Sequence, residues 1–182
     1  MEKIVKAIND ANSFLVCMHV DPDGDTIGSA SALCSMLEKL GKRFELYCSG
    51  KIPDVYMFLK YSGKIRNSID PSSRFDAMVA LDCADSKRIP DYDNLEKLCG
   101  TVVNIDHHAD NTKFGDINFV KERSSTGELI YDLTKKMKFH IDKDMATSIF
   151  SAIVTDTRNF RYSNSTARVF KIAAELVEAG AD

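Results

Sequence analysis

The sequence predicts an α/β fold, a parallel sheet with helices on both faces and a more helical C-terminal part. Short β-prone apolar runs alternate with amphipathic segments in the first half, a pattern that closes into a parallel sheet through crossover connections. Three of the four runs end in acid or imidazole, and in an open parallel sheet ligands bind beyond the carboxyl ends of the strands. The second half reads as successive helices.

Taken in order, strands are expected at Phe14 to His19, Phe44 to Cys48, Met78 to Asp82 and Val102 to Asp106, where apolar and β-branched residues cluster. Helices are expected near Thr26 to Leu40, Asp54 to Leu59 and Asn94 to Cys99. Ser125-Thr-Gly-Glu128 has the S-x-x-E form of a capping box and starts a helix through about Met137. Further helices run from about Lys143 to Val154 and Thr166 to Glu178, and "ELVEAGAD" is a helix end followed by glycine.

The 182 residues suffice for one well-packed domain. No apolar run approaches the roughly 18 residues of a membrane span, and "MEKIVKAINDANS" alternates charged with apolar residues, unlike a signal-peptide core. A cytoplasmic location follows as the expectation. Five cysteines form no CxxC and sit mostly in apolar segments, so they read as reduced core thiols. A net charge of -3 argues against a broad basic face gripping long nucleic acid. Phosphate chemistry here would be local and metal-assisted.

The acids are concentrated at the strand ends. The first strand leads into His19, Asp21, Asp23 and Asp25, the third ends at Asp82, the fourth at Asp106, His107 and His108, and Asp156 closes an apolar helix. Simpler readings exist for each alone: Asp25 as a helix cap, the histidines as surface residues, Asp21 to Asp25 as part of a calcium loop. The calcium reading fails, because Thr26 and Ala32 stand where that loop needs glycine and glutamate. Three of the four histidines lie in these acid-rich ends, and only His140 lies elsewhere. So many carboxylates on one sheet edge would repel one another severely without cations. Oxygen and imidazole donors without thiolates fit manganese best, with magnesium, iron, cobalt and zinc as alternatives. Four carboxylates match two divalent ions in charge, and such a centre can activate a water for attack on phosphorus.

"HVDPDGD", "LDCADSKR", "DHH" and "TDTRNFRYSN", in that order, resemble the DHH phosphoesterase family, and most closely its nanoRNase branch of oligoribonucleases that also act as 3'-phosphoadenosine 5'-phosphate phosphatases. The resemblance implies that residues 1–182 are a Rossmann-like DHH catalytic domain without the second, substrate-binding domain and its Gly-Gly-Gly-His motif. It makes His19, Asp23 and Asp82 ligands of one metal ion and Asp25, Asp82, His107 and Asp156 ligands of the other. Asp82 is the bridge. His108 would face the scissile phosphate as a catalytic group, Asp106 would orient a histidine, and Arg88, Ser124 and Ser125 would contact phosphate, Ser125 serving equally as a cap; Thr126 is a further candidate. Asp21 is excluded as a ligand, and Tyr162 is expected to order its loop. Asn159 stands where a glycine of "TDTGxFRY" is expected.

The implied reaction is metal-dependent hydrolysis of short RNA or DNA oligonucleotides or phosphorylated nucleotides, by a homodimer. Two alternatives remain: a manganese inorganic pyrophosphatase, whose first motif usually reads Asn-Pro-Asp-Thr-Asp, and a noncatalytic nucleotide-binding or dimerisation module.

Overall fold

The computed structural model describes residues 1–182. The chain begins with α1 (Glu2–Asp10), β1 (Ser13–Cys17), α2 (Gly24–Lys39) and β2 (Arg43–Tyr47), followed by β3 (Ile65–Arg66), β4 (Phe75–Leu81), α3 (Tyr92–Glu96), β5 (Cys99–Asp106) and β6 (Ile117–Val120). Three helices complete it, α4 (Thr126–Lys136), α5 (Lys143–Asp156) and α6 (Ala167–Glu178). All six strands pair in parallel, in the order β3-β2-β1-β4-β5-β6. The order reverses between β1 and β4, and the crevice outside their carboxyl ends is where such sheets bind ligands.

Side chains of β1 alternate between two cores, as strand geometry requires. Phe14 and Val16 join the large core built with α1, α2, α4, α5 and α6, while Leu15 and Cys17 join a smaller one reached by Leu95 of α3. Both faces therefore carry helix, very unequally. α2 is buried along nearly its whole length because it lies between the sheet and α5. Small residues permit that closeness: a Cβ on Gly28 would sit 2.4 Å from the Ser148 carbonyl oxygen.

The four expected strands are present within a few residues. The expected helix at Asp54 to Leu59 is only a 3-10 turn, Asp54–Tyr56, behind Pro53. Helix α3 ends at Glu96, because Cys99 already begins β5. α1, β3 and β6 are additional elements. No helix is long and apolar enough to cross a membrane.

Candidate metal centre

The crevice between β1 and β4 is lined by the residues that follow β1, β4 and β5. Asp82 follows β4 with φ +59°, a left-handed conformation that costs a non-glycine residue about 1–3 kcal/mol. Its amide donates to the Ile105 carbonyl at 3.0 Å, which keeps the turn on β5. The two carboxylate oxygens then face different neighbours. Oδ2 lies 3.4 Å from His19 Nε2, and Oδ1 lies 3.5 Å from His107 Nε2. Oδ1 also accepts a hydrogen bond from Thr126 Oγ1 at 3.0 Å.

Two aspartates flank Gly24 at the start of α2, and it is Asp23 rather than Asp25 that caps the helix. The helix begins at Gly24, so Asp23 is its cap, accepting from the amides of Asp25 (2.9 Å) and Thr26 (3.1 Å). Its imidazole neighbour is His19, with Nε2 at 3.9 Å. Asp25 is fully buried and reaches the start of α4 instead: Oδ2 accepts from Thr126 N at 2.7 Å, and Oδ1 from Gly127 N at 2.9 Å and Ser29 Oγ at 3.1 Å. A carboxylate offers about four lone-pair sites, so three are used. The fourth is left on the oxygen 3.6 Å from His107 Nε2.

The two adjacent histidines are held in different ways. His107 Nδ1 lies 3.2 Å from the Arg123 carbonyl, which can only accept, so Nδ1 carries the proton and Nε2 presents its lone pair. That Nε2 is buried and makes no hydrogen bond, although Asp156 Oδ2 stands 3.0 Å away. His108 Nδ1 pairs with Asp106 Oδ1 at 2.8 Å, and Asp106 is itself fixed by Asn111 Nδ2 at 2.6 Å. Asp106 thus orients His108, whose ring is about one-third exposed.

The donor atoms gather into close groups: His19, Asp23 and Asp82; Asp25, His107 and Asp156; and Asp82 with both histidines, each set within 4.8 Å. In the last group His108 Nδ1 is already engaged with Asp106. Burial pushes the Asp25 carboxyl well above the usual carboxylate range, reinforced by Asp82 and Asp156, and burial raises Asp23 too. Burial also opposes charge on His107, yet Asp156, Asp25 and Asp82 together raise it to about 10. Carboxyls pushed up by burial, and acids that draw a second proton toward His107 Nε2, mark a cage short of positive charge. A divalent cation on that nitrogen would take the proton's place. The unpartnered Nε2 of His107 and the spare lone pair of Asp25 therefore fit divalent cations.

The remaining expected residues surround this cage. Ser125 Oγ caps α4 by accepting from Glu128 N at 3.2 Å, and Ser124 Oγ donates to Glu128 Oε2 at 2.8 Å. Arg88 is half-buried with no ion pair, and its carbonyl accepts from Val20 N at 3.0 Å, next to His19. Asp21 is exposed, as is His140. After Asp156 the backbone is left-handed at Arg158, Asn159 and Phe160 in succession. The expected glycine, laid on Thr155 to Tyr162, falls at Arg158, and three residues share the strain. Tyr162 is exposed, with the Arg158 guanidinium 5.6 Å above its ring.

The chief feature that sequence reading missed is the start of α4 acting on Asp25 and Asp82 through Thr126 and Gly127. These partners lie about a hundred residues from Asp25 and carry no local signal; Thr126 itself stood out only as a possible phosphate contact.

A family model described as "DHH family, N-terminal domain" matches residues 13–153. A bifunctional oligoribonuclease and PAP phosphatase of Thermus thermophilus is 34% identical over 98% of this chain and 53% of its own length. A probable manganese-dependent inorganic pyrophosphatase of Bacillus licheniformis is 28% identical, covering 92% of this chain and 56% of its own. The crystal structure of an exopolyphosphatase-related protein from Bacteroides fragilis superposes with a TM-score of 0.92 at 28% identity, over all of this chain and 56% of that one. The chain spans about half the length of the curated relatives it matches.

Proposed function

The chain belongs to the DHH family, and on that premise we propose that residues 1–182 are the catalytic domain of a metal-dependent phosphoesterase acting on short oligonucleotides or on 3'-phosphoadenosine 5'-phosphate. A substrate-binding second domain is not among these residues in this reading. The relative of Thermus thermophilus, by name an oligoribonuclease and PAP phosphatase, supports the substrate class. The observation that carries the reaction type is Asp82, whose two oxygens face the His19 and the His107 groups separately.

His19, Asp23 and Asp82 would hold one divalent ion, and Asp25, Asp82, His107 and Asp156 the other. Manganese is the ion of choice, from the donor set and from the name of the Bacillus licheniformis relative. What such ions supply is a water of lowered pKa and neutralisation of charge at phosphorus. The chain's own groups do the rest. The hydrogen bond to Asp106 raises the pKa of His108, so His108 is suited to giving a proton from Nε2 to the departing oxygen. Arg88, free of ion pairs, is available to the phosphate, and Ser124 and Ser125 keep the start of α4 in place beside it. A cytoplasmic homodimer belongs to the same reading, with sedimentation velocity as its check.

The test is manganese-dependent hydrolysis of an RNA dinucleotide, 3'-phosphoadenosine 5'-phosphate and pyrophosphate in parallel, with Asp82→Asn as control. Turnover of either nucleotide, lost in the control, supports the phosphoesterase. Turnover of pyrophosphate alone would transfer the assignment to the pyrophosphatase branch. Two bound manganese ions with all three substrates untouched would mean that catalysis needs residues beyond these.

A further inference from the structure

Arg168 stands in the first turn of α6, on the surface, and touches no candidate ligand. Its guanidinium is bonded to Glu128 and to Asp132, both on α4. Glu128 is 2% exposed, and a carboxylate at that depth requires a cation and hydrogen bonds to stay charged. Arg123 is the other cation nearby, but its Nε is 3.6 Å from Glu128 and 3.7 Å from Asp132, beyond hydrogen-bond reach. Arg168 is therefore the one cation bonded to Glu128.

Glu128 passes that restraint backwards along the chain. Its Oε2 accepts from Ser124 N at 3.0 Å and Ser124 Oγ at 2.8 Å, fixing the residues that enter α4. This short segment touches the cage at four places. The Arg123 carbonyl sets the tautomer of His107, and the Ser124 carbonyl accepts from Asn164 Nδ2, which also donates to the Asp156 carbonyl. The amides of Thr126 and Gly127 hold Asp25, and Thr126 Oγ1 holds Asp82. All four belong to the Asp25–Asp82–His107–Asp156 group. Asp82 is shared with the His19 side, but Thr126 bonds its Oδ1, the oxygen that faces His107, and not the Oδ2 that faces His19. Neither His19 nor Asp23 receives a bond from the segment.

We propose that Arg168 is a positioning residue for one of the two metal positions: through Glu128 it aligns Arg123 to Gly127 against Asp25, Asp82, His107 and Asp156, and so sets the ion affinity there while leaving the His19–Asp23 position alone. This rests on the metal-centre reading above. Partners that orient metal ligands typically affect affinity by about 10- to 100-fold.

The experiment is calorimetric titration of manganese into wild type, Arg168→Gln, Arg168→Lys and Asp132→Asn, alongside thermal melting of each metal-free protein. Glutamine keeps the Cβ and Cγ methylenes and a polar end, and removes the charge together with the guanidinium bonds to Glu128 and Asp132. The expected result is about a 10-fold loss at one of two positions in Arg168→Gln, partial recovery with lysine, and no loss in Asp132→Asn, which keeps the Arg168–Glu128 bond. The loss should recur in an Asp23→Asn background and disappear in an Asp156→Asn background. Unchanged affinities in Arg168→Gln would overturn the proposal, as would equal losses at both positions in step with a lower melting temperature. A wild type that binds no manganese would overturn the metal reading beneath it, an outcome distinct from either.

Discussion

His19 and Asp82 face each other across the point where the strand order reverses, with Nε2 and Oδ2 3.4 Å apart. One follows β1 and the other β4, so the pair closes the crevice that the sheet leaves open. The other oxygen of Asp82 faces His107 after β5. A single carboxylate thereby meets imidazoles from two strand ends, and its replacement should be felt on both sides.

Asp82→Asn is the informative substitution because asparagine tolerates the left-handed backbone that alanine would strain. Calorimetry should find both manganese positions lost together. Against the cost of its burial, the imidazoles of His19, His107 and His108 hold the Asp82 carboxyl below its usual range. Its charge therefore stabilises the fold, and the metal-free variant should melt below metal-free wild type at neutral pH. Two intact positions would end the bridging assignment.

His108→Ala should behave differently. Its Nδ1 is committed to Asp106, so manganese stoichiometry should persist while turnover falls by roughly 100-fold, the usual scale for a general acid. Loss of bound metal would instead make His108 a ligand.

Gly28→Ala tests how α2 and α5 approach. The new methyl would lie 2.4 Å from the Ser148 carbonyl oxygen and 3.1 Å from Ala152 N, both backbone atoms that cannot swing aside. Overpacking of this kind costs about 1–3 kcal/mol, to be read as a lower urea midpoint at unchanged slope. An unchanged midpoint would show that the two helices can separate freely.

Asp76→Asn tests a charge far from the cage. The amides of Asn12 and Ser13 and the Ser13 hydroxyl hold the Asp76 carboxyl below its usual range. A carboxyl depressed in the folded state stabilises above its unfolded pKa and loses that contribution as pH falls through the folded value. Wild type should therefore exceed the variant in stability at neutral pH, and the two should converge as acid protonates Asp76. A gap that persists at low pH would mean that charge is not its source.

Much of this architecture was legible because its causes are local. The runs ending in Asp82 and Asp106 are apolar enough to be strands by themselves, and Ser125 to Glu128 carries its own cap. β3 has two residues and exists only by pairing with β2, so no pattern within it could announce it. α1 rests on Ile4 and Ile8, one turn apart, which charge alternation obscured. The ligand candidates could be collected from strand ends, but the roles of Asp23 and Asp25 turn on where α2 starts. A start at Gly24 rather than Thr26 gives the cap to Asp23 and frees Asp25 for a helix on the other side of the sequence.

The near-complete burial of α2 has a consequence for synthesis. Its outer surface is covered by α5, where Ser31 meets Ser148 across 117 residues of chain. Ribosomes add about 5–20 residues per second, so α2 waits on the order of ten seconds for its cover. During that interval an apolar helix lies open on a half-built sheet, and a chaperone that shields the nascent chain would find its target there.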